Sequence, residues 1–243
     1  MQQPEEMIAA VRAALEKRRE INLHESPIEL SVREGVVVMR GEVRDIIAKR
    51  VARLAAVEAL GVDHVLDELC MAPAERRSDA QIVETLERML MSESAFRDYP
   101  RTVVTGAHPQ PPAGASPGEG AIGAAVQDGV VTLQGTVGSL THRRLADVLA
   151  WWTPGSRCVH NYLHVVPQER DSDAEVSDAL RVVFDKNPWL DAGAIRVRVK
   201  ERVVTLEGVV SSRELSRMAE RDAWYVLGVH GVDNRLQVEA PEA

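Results

Sequence analysis

One nine-residue pattern occurs three times in this chain of 243 residues. It reads Gly35-Val-Val-Val-Met-Arg-Gly41-Glu-Val43, then Gly129-Val-Val-Thr-Leu-Gln-Gly135-Thr-Val137, then Arg202-Val-Val-Thr-Leu-Glu-Gly208-Val-Val210. Each copy is followed by a charged, Ala-rich segment and a short apolar run. The runs are Val65-Leu-Asp-Glu-Leu69, Val159-His-Asn-Tyr-Leu163 and Val232-Asp-Asn-Arg-Leu236. From the second glycine position to the first valine of the run is 24 residues each time (41 to 65, 135 to 159, 208 to 232). A spacing kept three times marks one supersecondary unit repeated. Length alone suggests two domains of ordinary size, but the repeat makes it three of about 70 residues, the middle one enlarged.

Hydrophobic periodicity supplies the elements. Apolar residues at three- to four-residue spacing predict a helix at the start of each copy: Met7, Val11 and Leu15; Ile82, Leu86 and Met89/Leu90; Val176, Leu180 and Val183. Ser78-Asp79 and Ser172-Asp173 supply N-caps for the second and third. An alternating strand follows: Ile28 to Val32, a weaker Ala121 to Val126, and Ile195 to Val199. The order per copy is helix, strand, strand, helix, strand, an α+β class. The expected domains are 1–71, 78–167 and 172–239, joined by short polar linkers. Residues 100–120 hold five Pro and four Gly, a composition that resists regular structure, and are expected to form a mobile surface loop inserted in the middle copy.

Side chains in a strand alternate faces, so Gly41, Gly135 and Gly208 sit on the apolar face of the central strand. The expected cause is close approach of a helix. The following helix offers small residues 11 and 15 positions beyond each glycine: Ala52 and Ala56, Ala146 and Ala150, Ala219 and Ala223. These nine residues are expected to be structural.

At these residues the chain resembles the BON domain family (bacterial OsmY and nodulation). The matching features are the V-V-x-L-x-G-x-V strand, the Ala-rich helix and the closing element, clearest as Gly228-Val-His-Gly-Val232-Asp-Asn-Arg-Leu236. The first copy departs by carrying Asp67 where the others have Asn161 and Asn234. The resemblance implies three tandem BON domains, each a three-stranded mixed sheet covered by two helices. It also implies non-enzymatic work: phospholipid association, envelope maintenance, stress response. A relative associated with potassium binding makes cytoplasmic ion sensing the alternative. The turns at Arg33-Glu34, Gln127-Asp128 and Lys200-Glu201 are then the candidate ion sites.

Aromatics are only 4% of the chain, so the cores are built from Val, Leu, Ile and Ala. Three of the four tryptophans fall in two corresponding positions, Trp151-Trp152 and Trp224-Tyr225, 16 and 17 residues after the glycine. The alanine pair commits one face of this helix, so at least one ring of each pair is expected to meet solvent or a partner. With Trp189, these residues are the candidates for contact with a partner protein, a second copy, an anionic phospholipid surface or the neighbouring repeat. His142, His160 and His164 share the middle copy but lack metal-ligand spacing, and read as surface histidines. No nucleophile, phosphate-loop or zinc-hydrolase motif is present, so neither enzymatic activity nor a cofactor is expected.

The net charge of −8 argues against a nucleic-acid partner. Arg143-Arg144 and the series Arg196, Arg198, Lys200, Arg202 read as a solvated helix start and an exposed strand face. Cys70 and Cys158 leave a disulfide open without demanding one. The acidic N-terminus is no secretory signal, so the expected location is cytoplasmic, or periplasmic had a leader been removed.

Overall fold

The computed structural model describes residues 3–61, 65–72, 75–110, 112 and 120–239. The chain forms two compact units, Met1–Ala72 and Pro73–Ala243. The first holds one copy of the repeat and the second holds two.

In the first unit, α1 (Pro4–Glu16) precedes β1 (Glu29–Arg33) and β2 (Val36–Val43). Then come α2 (Ile46–Leu60) and β3 (Val65–Met71). β2 is central, antiparallel to β1 and parallel to β3. Parallel pairing needs a crossover, and α2 is that crossover. The periodic positions Met7, Val11 and Leu15 are the buried face of α1.

The second unit repeats the plan twice. Its first copy has α3 (Asp79–Ser92), β5 (Ala121–Gln127), β6 (Val130–Val137), α4 (Leu140–Trp152) and β7 (Cys158–Val165). Its second copy has α5 (Asp173–Lys186), β8 (Ile195–Lys200), β9 (Val203–Val210), α6 (Arg213–Tyr225) and β10 (Gly231–Val238). Ser78 and Ser172 cap α3 and α5 as expected, each accepting from a backbone N–H of the first turn. The aspartates that follow them reach the turns between the paired strands. Asp79 accepts from the amides of Asp128 and Gly129, both at 2.9 Å. Asp173 does the same for Glu201 (2.7 Å) and Arg202 (3.0 Å). Each turn has two positive-φ residues, the type that suits a two-residue hairpin.

The middle copy corrects the expectation for 100–120. Arg101–Thr105 is a strand, β4, pairing parallel with β5 and widening that sheet to four strands in the order β4-β5-β6-β7. The Pro and Gly content lies almost wholly after Thr105, while Thr102-Val-Val-Thr105 is β-branched throughout and suits a strand. Residues 106–110 return over the sheet: the Gly106 amide donates to the Val126 carbonyl, and Pro109 and Gln110 lie close above Gly123. This explains the weak alternation of β5, buried along Ala121–Val126 on both faces. Residues 111 and 113–119 of the expected loop lie outside the described residues.

The repeated glycines also have a different cause from the one expected. At all three the backbone has positive φ, +141° at Gly41, +133° at Gly135 and +138° at Gly208. A Cβ there would meet a backbone carbonyl at the start of the adjacent strand, not a helix. The distances are 2.6 Å to Pro27 O, 2.1 Å to Ala121 O and 2.0 Å to Ala194 O. The residue opposite is isoleucine each time: Ile28, Ile122 and Ile195. All six alanines of the repeated pairs are fully buried on their helices.

The Asn-to-Asp departure in the first copy is resolved by a compensating change. Asn161 Nδ2 donates to the Arg143 carbonyl at 2.9 Å and Asn234 Nδ2 to the Ser216 carbonyl at 3.1 Å, tying the last strand to the helix. In each, Oδ1 accepts from the amide two residues on. Asp67 keeps the second bond, from Leu69 at 3.0 Å, but a carboxylate has no proton for the first. Lys49, eight residues past the glycine as are Arg143 and Ser216, takes over. Its buried ammonium bonds Asp67 Oδ1 at 2.8 Å and the Leu69 carbonyl at 2.6 Å.

Candidate binding site

Three chain segments meet where the second and third repeats join: the end of α4, the end of α6, and the turn Asn187-Pro188-Trp189 after α5. They line an open pocket of about 380 Å³. Its wall includes Trp151, Trp152, Trp189 and Tyr225, with Asp222 and Arg221. Four of the chain's nine aromatic side chains therefore line one space.

Trp151 is 5% exposed and stacks on Tyr225 of the neighbouring repeat, ring centroids 6.1 Å apart and 27° from parallel. Its indole N–H is buried without a hydrogen-bond acceptor. Trp152 Nε1 crosses the same seam to donate to Asp222 Oδ1 at 3.2 Å. Trp224 is 6% exposed. Trp151 thus packs through Tyr225 on the neighbouring repeat, one of the contacts considered for these residues, while Trp224 is buried as well. Helix ends carrying them pack against each other's repeat, which removes more apolar area from water than either helix could alone. Trp189 differs: Asn187 Oδ1 accepts from its backbone amide at 3.0 Å and fixes the turn, yet the ring is 72% exposed.

Arg144 is a second correction. Instead of marking a solvated helix start, it is 2% exposed at the seam. Its Nε donates to the Leu227 carbonyl at 2.7 Å and its Nη2 to Asp171 at 2.7 Å. Arg202 donates to the same Asp171 oxygen at 2.8 Å. Burial pushes the Asp171 carboxyl up, but the bonds and charges of the two arginines outweigh it and hold it below its usual value. Arg196, Arg198 and Lys200 do form the exposed strand face expected of them.

Asp222 is the functional candidate that sequence reasoning missed. It lies fourteen residues past the repeat glycine, where the other copies carry buried Ala55 and Leu149. A carboxylate at a position apolar in two of three copies is the signal that could have found it. It is 2% exposed and accepts hydrogen bonds from Trp152 and from Asn187 Nδ2. Burial raises its pKa to about 6, against the hydrogen bond from Asn187, the charge of Arg221 and the bond from Trp152. A raised folded-state value means the proton favours the folded chain. The ionised form therefore carries a penalty of about 3 kcal/mol (a rise from 3.8 to 6), absent below pH 4 and complete above pH 6. Asp222→Asn has no such titration. The stability difference between variant and wild type, from urea unfolding at pH 4 and pH 7, should move by that order in the variant's favour at pH 7. Equal differences at the two pH values would contradict the assignment.

The remaining candidates fall elsewhere. His142 Nδ1 lies 2.9 Å from the Tyr99 hydroxyl, which itself accepts from the Gly138 amide. The hydroxyl proton thus goes to a neutral ring, in keeping with a His142 pKa lowered chiefly by burial. His160 stacks against Tyr162 on β7. Among the described residues no three His, Cys, Asp or Glu side chains gather as a metal group. Of the three turns considered for potassium, two have their amides bonded to Asp79 and Asp173, and nothing at them points to an ion. No helix among the described residues is long and apolar enough to cross a membrane.

Three α+β repeats, each with a positive-φ glycine in its central strand, define a small, recurrent domain class. The BON domain family model matches residues 5–73, 112–167 and 172–240, and the chain belongs to that family as three tandem BON domains. BON domains are non-catalytic binding domains, generally implicated in binding phospholipids or proteins. No curated protein matches. Among solved structures, the chain is similar to the C-terminal domain of CdsD, the structural protein of the Type III secretion system of Chlamydia trachomatis. Identity is 15%, TM-score 0.25, and coverage 99% of this chain and 100% of that one. A second CdsD structure gives 15%, 0.26, 97% and 93%.

Proposed function

We propose that this chain is a non-catalytic binding and scaffold protein that uses the seam between its second and third BON domains. Trp189, at the mouth of the seam, is its point of contact with a phospholipid surface, a partner protein or a second copy. The observation that carries this reading is the exposure of Trp189 beside rings that are otherwise packed away. A large indole held in water by a fixed turn loses free energy there and regains it on burial against a partner.

The test is co-sedimentation of the full chain with anionic phospholipid vesicles, together with light scattering over a concentration series. Wild type is expected to pellet with vesicles or to self-associate, and Trp189→Ala to do neither while melting at the wild-type temperature. A wild-type chain that stays in the supernatant and remains monomeric at high concentration would contradict both the lipid and the self-association forms of the reading.

A further inference from the structure

The cavity at the seam brings together two features that do not explain one another. The first is the set of four rings, Trp151, Trp152, Trp189 and Tyr225. Packing accounts for the stacked pair Trp151 and Tyr225, but not for an open volume of about 380 Å³ beside them or for the exposed Trp189. That volume is within the range of roughly 300–1,000 Å³ usual for small-molecule sites. The second feature is Asp222. Its two hydrogen-bond donors, Trp152 Nε1 and Asn187 Nδ2, are both neutral, and among the described residues it makes no ion pair. Arg221 lines the same cavity and contributes charge, but its side chain is exposed and solvated.

We propose that this cavity is a binding site for a quaternary ammonium group, of the kind carried by choline. The faces of Trp and Tyr carry negative potential, and a methylated cation, weakly hydrated and apolar at its rim, gains most from such faces when desolvated. A buried carboxylate among the rings supplies the counter-charge that a hydrophobic box alone lacks. A neutral ligand of the same shape would leave that charge uncompensated. A small hydrated metal ion would forfeit its water for ring faces that do not replace it. Arg221 at the wall suits the anionic end of a zwitterion such as a betaine or a phosphocholine. The proposal rests on reading the seam as a binding site, and it names the ligand chemistry there.

The experiment titrates the full chain with choline chloride against a sodium chloride control of equal ionic strength, following tryptophan emission and heat. The neutral isostere 3,3-dimethylbutan-1-ol is run in parallel. Choline is expected to saturate the signal, with the isostere at least about tenfold weaker. Trp189→Ala, which touches only the exposed ring, should weaken choline by about tenfold while its melting curve matches wild type. Asp222→Asn should weaken choline by at least as much, with the isostere unaffected. No response to choline up to about 100 mM, weaker than any physiological site, overturns the proposal. Equal binding of choline and the isostere also overturns it, by marking the cavity as a plain packing void.

Vesicles of phosphatidylcholine distinguish the source. If they pellet wild type but not Trp189→Ala, the group is a lipid headgroup. If free choline binds and these vesicles do not, it belongs to a free small molecule. Either result supports the site. Should choline bind while the chain neither pellets with anionic vesicles nor self-associates, the ammonium site stands and the scaffold reading falls. The reverse pattern removes the site and leaves the scaffold.

Discussion

Gly208→Ala is expected to destabilise the third repeat by about 3 kcal/mol or more, the sum of a strained φ and a forced steric shift. The Cβ would sit 2.0 Å from the Ala194 carbonyl oxygen, and that oxygen belongs to a backbone at the start of β8. No rotamer can move it aside. A loss of this size is a large share of the roughly 5–15 kcal/mol that holds a typical domain folded. Urea unfolding should show a lower midpoint for Gly208→Ala, a similar one for Gly135→Ala at 2.1 Å, and a smaller effect for Gly41→Ala, where the carbonyl is 2.6 Å away. The ordering matters as much as the size. Were the facing helix the true constraint, the losses would follow helix packing and not these carbonyl distances. A Gly208→Ala chain as stable as wild type would contradict the account of the repeat itself.

Asp67→Ala is expected to cost the first unit about 3 kcal/mol, because it removes a charge-assisted hydrogen bond from the buried Lys49 ammonium. Lys49 and Asp67 are both almost inaccessible, and their 2.8 Å contact stands where the other copies use an asparagine and a helix carbonyl. The double variant Lys49→Ser/Asp67→Asn reproduces the pair Ser216 and Asn234 of the third copy. It should recover stability to within about 1.5 kcal/mol of wild type, since a satisfied neutral pair replaces a satisfied charged one. Thermal melting of the three chains checks this. A double variant no better than Asp67→Ala would show that the two positions are not coupled.

The periodicity and the glycine spacing made the elements and their order legible, because each repeat encodes its core locally. Val11, Leu86 and Leu180 all lie on buried helix faces where the 3.6-residue period put them. What stayed hidden depends on neighbours far along the chain. The glycines were readable as special, but the carbonyl that requires them belongs to another strand. Arg101–Thr105 was masked by the Pro and Gly that follow it in the same window. The aromatic pairs were readable as not wholly within their own repeat's core, yet only the packing of one repeat on the next brings Trp151 onto Tyr225. Arg144 and Asp222 look like ordinary helix-surface charges until that same packing covers them.

The seam holds Trp151 as a structural ring and leaves Trp189 exposed for contact. One comparison tests it most directly: Trp151→Ala and Trp189→Ala, each measured for melting temperature and for association with anionic vesicles or with itself. Trp151→Ala is expected to melt lower, by a shift matching roughly 3–5 kcal/mol for a buried aromatic. Trp189→Ala is expected to melt like wild type but no longer to associate. A Trp189→Ala chain that associates as well as wild type would contradict the contact role of Trp189.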